Sequence, residues 1–122
     1  MKLNYNYIKT NDGYYIKKYN VKKNINLNVD ATYVIHLINN GRLNEIEYQL
    51  NKYRPSKKIY ILFNEGYKCK KKKEKVKNAA LDLIDANIFI LNHAKEKEYN
   101  NILVLEDDFF FDNLIFNELY LK

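Results

Sequence analysis

The sequence predicts an α/β chain, a Rossmann-like half-domain with a mostly parallel sheet preceded by an N-terminal β-hairpin. Three observations carry this expectation. Apolar-rich runs of strand length recur at 32–37, 58–63 and 102–105. The stretches between them repeat apolar residues every three or four positions, as amphipathic helices do. Asp12-Gly13 separates two tyrosine-rich, β-prone runs, a good short-range hairpin signal.

Taken in order, Tyr5, Tyr7, Tyr14, Tyr15 and Tyr19 alternate loosely with polar residues and place a hairpin over residues 4–20. A polar connector follows through Asn28, so residues 1–30 read as an extension and 31–122 as the main domain. Thr32-Tyr33-Val34-Ile35-His36-Leu37 reads as the first strand of that domain. Arg42 to Tyr53 reads as a helix, with Leu43, Ile46 and Leu50 on one face and Pro55 just beyond its end. Lys58 to Phe63 is a second strand, closed by Asn64-Glu65-Gly66. After a lysine-rich connector at 68–77, a long helix runs from Asn78 to about Tyr99, with Leu81, Ile84, Ile88, Leu91 and Lys95 on one side. Asn100-Asn101 breaks it. Ile102 to Leu105 is apolar on both faces, which fits a central strand of a parallel sheet. Strand, helix, strand, helix, strand is the order of right-handed crossovers in a parallel sheet. Residues 114–121 read as a short amphipathic helix, an apolar surface that favours self-association.

The composition bounds the function. With 122 residues and 47% hydrophobic content, the chain is sized for one core. No apolar stretch is long enough to span a bilayer, and the N-terminus lacks a signal-peptide block, so a cytoplasmic location is expected. The single cysteine, Cys69, has no partner for an internal disulfide. The net charge of +6 invites a nucleic-acid reading. Of the 21 basic residues, however, only Arg42 and Arg54 are arginine, the residue that does most specific reading of bases and phosphates. Lys, Asn, Ile, Tyr and Phe all use A/T-rich codons, so a biased genome accounts for the charge. Nucleic acid is therefore not the expected partner.

The chemistry concentrates at Glu106-Asp107-Asp108, straight after the last apolar run. In an open α/β sheet, ligands bind outside the carboxyl ends of the strands. Three adjacent carboxylates repel one another unless a cation offsets them. Mg²⁺ typically takes one or two carboxylates, waters and substrate phosphate oxygens, a combination suited to a diphosphate ligand. Solvated acids in a loop remain the plainer alternative. Of the two histidines, His93 reads as structural within its helix, and His36 stands near a strand end beside the triplet. Residues 68–77 read as a solvated lysine loop or as an attractor of phosphate.

Ile102-Leu103-Val104-Leu105-Glu106-Asp107-Asp108 resembles the hydrophobic strand and Glu-Asp-Asp motif of the lipopolysaccharide-type glycosyltransferases of family 25 and related sequences of large DNA viruses. Tyr33-Val34-Ile35-His36-Leu37 with Arg42-Leu43 resembles that family's opening strand and following arginine. Phe63-Asn64-Glu65-Gly66-Tyr67-Lys68 resembles the second strand and turn of the viral relatives. The resemblance covers roughly residues 31–113 and implies a GT-A-type half-domain that binds a nucleotide sugar with Mn²⁺ or Mg²⁺. It implies Asp108 and Glu106 as metal ligands, and Leu37, Ile38, Arg42, Glu106 and Asp107 as donor-binding residues. It also implies transfer to a hydroxyl-bearing acceptor, a glycan or a protein, and a viral chain would act in its host's cytoplasm. The bacterial relatives carry a Ser-His pair where this chain reads Leu83-Ile84-Asp85, so Asp85 is either a substitute toward sugar hydroxyls or, the plainer reading, an ordinary solvated helix aspartate. The family continues with an acceptor-binding half beyond the motif, which makes a complementary half or self-association an expected partner. A non-catalytic interaction module on the same fold is the alternative.

Overall fold

The computed structural model describes residues 4–9 (as backbone), 12–21, 28–72 and 76–111. Five strands and two helices follow one another as β1 (Asn4–Lys9), β2 (Tyr14–Asn20), β3 (Ala31–Leu37), α1 (Leu43–Tyr53), β4 (Lys58–Asn64), α2 (Ala79–Glu96) and β5 (Ile102–Glu106). They form one five-stranded sheet in the order β1-β2-β4-β3-β5. The α/β architecture with a parallel core is as the sequence predicts. The expected tail helix at 114–121 lies outside the described residues.

The hairpin is part of the sheet. β1 and β2 pair antiparallel, and β2 pairs antiparallel with β4, Tyr15 opposite Phe63 and Lys17 opposite Ile61. Its Tyr14, Ile16 and Tyr19 are buried in the two cores. Gly13 supplies the turn with φ of 84°, in the region that glycine enters without strain. A Cβ there would lie 3.0 Å from Lys72 Cε and 3.3 Å from Cys69 Sγ, so the turn fits closely against the lysine-rich loop.

β3 pairs parallel with β4 on one side and with β5 on the other. The chain thus leaves β3 by α1 toward β4, then crosses by α2 to the opposite side of β3. The helices cover opposite faces. Ile46 and Leu50 of α1 pack on Val34, Ile59 and Ile61. Ala86, Ile90 and Ala94 of α2 pack on Tyr33, Ile35, Tyr60 and Leu62. Burial of each large aliphatic side chain in these layers stabilises the fold by about 1.5–3 kcal/mol. α1 ends at Arg54, which takes a left-handed φ of 45° and bonds back to Leu50 O, one residue before Pro55.

Two expectations are corrected. β5 is an edge strand of the described sheet, and its residues 102–105 are half-buried. Its two-faced apolarity arises because Ile102 and Val104 meet the α2 layer while Leu105 meets the α1 layer. The apolar side of α2 defined by Leu81, Ile84, Ile88 and Leu91 is turned outward. The sheet beneath already carries Tyr14, Tyr33 and Tyr60, with Tyr33 and Tyr60 stacked at 4.8 Å. Those rings fill the layer, so the helix approaches through small Ala86 and Ala94. The polar groups it brings inward are partnered: His93 Nδ1 lies 2.6 Å from Tyr33 Oη, and Asp82 meets Lys72.

Candidate functional site

The strand order reverses at β3, so the crevice between the carboxyl ends of β3 and β5 is the topological switch point where such sheets bind ligands. Glu106 ends β5, and Phe109 N–H donates to Glu106 O at 3.1 Å, closing a tight turn over the acidic triplet. Facing it is the β3–α1 loop, Ile38 to Arg42, with Asn39 and Gly41 in the left-handed region at φ of 66° and 81°. Asn40 Oδ1 accepts from Arg42 N–H at 3.0 Å and holds that loop in an Asx turn.

Asp107 joins the two segments. Its Oδ2 accepts from the Leu37 backbone N–H at 3.2 Å and from the Asn40 side-chain amide. Its carbonyl accepts from Arg42 Nε at 2.8 Å. His36 Nδ1 stands 3.7 Å from the same Oδ2, buried and without a hydrogen-bond partner. Burial pushes the His36 pKa down, against the opposing pull of Asp107. The middle acid is thus drawn inward to bind backbone, while Glu106 and Asp108 are exposed on either side of it.

The predicted residues are distributed as follows. Leu37, Glu106 and Asp107 line one cavity of ≈ 210 Å³ together with Asn64, Tyr67 and Asp82. Arg42, the residue before α1, reaches the triplet through Asp107 O. Asp108 stands exposed on the turn beside them. Ile38 packs into the α1 layer on the other face, away from Leu37. Adjacent residues leaving a strand point to opposite sides, which is the reason. No family model, curated protein or solved structure matches this chain.

Asp85 is elsewhere. Its Oδ2 accepts from Tyr14 Oη at 2.6 Å, and it lines a separate cavity of ≈ 120 Å³ beside the hairpin. Burial, with Asp85 adding to it, pushes the Tyr14 phenol pKa up. The acid of α2 that does line the cavity at the strand ends is Asp82, which the sequence reading did not single out.

Asp82 is tied to the lysine loop. Lys72 Nζ donates to Asp82 Oδ1 and to Asn64 Oδ1, each at 2.8 Å, and Asn64 Nδ2 donates to Asp82 Oδ2 at 2.7 Å. The Lys72 side chain is 2% exposed, and its ammonium sits 3.6 Å from the Tyr14 ring centroid. This lysine is therefore not solvated. Lys68, Lys70 and Lys71 are solvated as expected. The buried pair pins the loop that carries Gly66 and Tyr67, one wall of the ≈ 210 Å³ cavity.

The aromatic triplet after the acids is split. Phe109 and Phe111 pack toward α1, with Phe111 5.3 Å from Tyr53 and its N–H donating to Gln49 Oε1 at 3.1 Å. Phe110 is 76% exposed. His93 is structural, as expected.

Among the described residues, no group of three or more His, Cys, Asp or Glu side chains converges to hold a metal. Two carboxylates, Glu106 and Asp108, flank the anchored Asp107. A hard cation held between them would need water and phosphate oxygens to fill its remaining positions.

Proposed function

We propose that this carboxyl edge binds the diphosphate of a nucleotide sugar through Mn²⁺ or Mg²⁺, as the donor site of a glycosyltransferase. The supporting observation is the inward anchoring of Asp107, which leaves Glu106 and Asp108 each exposed on either side of it, with Arg42 bonded to the same turn. Asp108 and Glu106 would hold the ion, and Arg42 would meet phosphate oxygens, for which its planar fork is suited. Leu37 and Tyr67 offer apolar walls to the donor. A bound cation would neutralise charge on the departing nucleoside diphosphate. The acceptor is a hydroxyl-bearing glycan or protein, and a nucleotide-sugar pool sets the reaction in a cytoplasm, the host's for a viral chain. No helix among the described residues is long and apolar enough to cross a membrane.

The decisive experiment is calorimetric titration of UDP- and GDP-sugars with and without Mn²⁺. Metal-dependent binding that vanishes in Asp108→Ala is expected. Binding that ignores both the metal and the substitution would remove the support for this reading.

A second reading, a non-catalytic interaction module on the same sheet, is favoured by a different observation, the outward apolar side of α2.

A further inference from the structure

That side of α2 has a definite pattern. Leu81, Ile84, Ile88, Leu91 and Lys95 are spaced three, four, three and four residues apart, the a/d repeat of a coiled-coil seam. The four apolar members are 38%, 56%, 51% and 59% exposed. α2 already buries its opposite side, through Asp82, Ala86, Ile90 and Ala94, against the sheet. Among the described residues, the outward seam is thus left without a covering element. Its apolar surface is on the order of a few hundred Å², comparable to the largest apolar patch of a typical soluble monomer, which is often functional.

We infer that this seam pairs with the same seam of a second copy, the two α2 helices running antiparallel about a twofold axis at Ile88. An a/d seam is self-complementary, as an isologous interface requires. Charge decides the direction. A parallel pair would stack two Lys95 ammonium groups in one layer. The antiparallel pair sends them to opposite ends, where each lysine stem lies over Leu81 of the second copy and its ammonium reaches water. The helix dipoles then oppose, which is also favourable. At the C-terminal end of the seam, Leu91, Ala94, Lys95, Tyr99 and Ile102 line a shallow depression of ≈ 440 Å³ that receives Leu81 of the second copy. α2 has 18 residues, about 27 Å at the usual helical rise, enough for every layer of the seam to engage. The pairing does not involve Glu106 or Asp108, and it stands apart from the donor-site reading.

The test is sedimentation velocity of the full chain from about 5 to about 500 μM, a range suited to a modest interface. A concentration-dependent dimer is expected, with Ile84→Glu/Leu91→Glu monomeric throughout and its far-UV circular dichroism unchanged. In a Cys69→Ser background, oxidation should link Ile88→Cys into a covalent dimer and leave Leu81→Cys unlinked. A wild-type chain monomeric over the whole range overturns the proposal. So does a double variant that still dimerises, or Leu81→Cys linking as readily as Ile88→Cys.

Discussion

The carboxylate of Asp107 accepts the backbone N–H of Leu37 at 3.2 Å, closing the end of β5 onto the end of β3. A residue that looks like one of three equivalent acids is a clasp between two strand ends. Asp107→Ala removes the acceptor of Leu37 and Asn40 and slackens the β3–α1 loop. Its cost should be about 1–2 kcal/mol, a partly exposed version of the charged hydrogen bonds it loses. Glu106→Ala and Asp108→Ala should stay within about 0.5 kcal/mol, as exposed positions do. Urea unfolding of the three variants reads the difference, and three equal losses would contradict the clasp.

Lys72 is the other internal tie. Lys72→Met leaves Asp82 buried with its cationic partner gone, which should destabilise the fold by about 3–5 kcal/mol. Lys72→Met/Asp82→Leu should recover about 2 kcal/mol of that, because it removes the stranded charge as well. Equilibrium denaturation of both variants checks the order. A double variant weaker than the single one would mean that the pair stabilises beyond its own desolvation.

These two ties show where the sequence was legible. Strand and helix positions follow from local periodicity, so β3, β4 and β5 lie where the apolar runs place them. The hairpin follows from Asp12-Gly13. Which side of α2 meets the sheet was not legible. Leu81, Ile84, Ile88 and Leu91 are the more apolar set, yet the rings of Tyr14, Tyr33 and Tyr60 take up Ala86, Ile90 and Ala94 instead. That is a volume balance between elements distant in the chain. The candidate site divides in the same way. The triplet and Arg42 stand out by residue type, whereas the roles within the triplet depend on a loop about 70 positions upstream, whose Leu37 and Asn40 select Asp107. Lys72 was hidden among lysines of identical type, and its contacts with Asp82, Asn64 and Tyr14 separate it from them.

Arg42 gives a test of the anion half of the site. Its guanidinium is held at Nε by Asp107 O, beside the acidic turn. Arg42→Ala should weaken nucleoside diphosphate binding about tenfold, or about 1.4 kcal/mol. Arg42→Lys should restore less than half of that, since an ammonium keeps the charge and loses the fork. Calorimetry in fixed Mn²⁺ measures both. Metal dependence should survive in both variants, and unchanged affinity in Arg42→Ala would take this residue out of the site.

Two histidines should set the acid limit of the fold. His36 is 3% exposed, and His93 is bonded to Tyr33 within the α2 layer. Burial pushes both below the ordinary value of 6.5, with Asp107 opposing at His36 and Lys97 reinforcing at His93. The unfolded chain therefore takes up protons near pH 6.5 while the folded chain does not. Where the unfolded state binds more protons, stability rises with pH. It is complete above about pH 7.5 and falls as pH drops through 6.5, continuing down to the folded pKa values. Asp30, held low by the N–H groups of Asn100 and Asn101, adds a separate loss only at more acid pH, around its ordinary value of 3.8 and below. Between pH 7.5 and 5.5 the decline thus belongs to the imidazoles. Thermal unfolding across that window should show it. His93→Gln should begin lower at pH 7.5, through lost ring packing on Tyr33 and Tyr60, but decline less steeply. An undiminished slope in both His93→Gln and His36→Gln would assign the acid sensitivity to carboxylates instead.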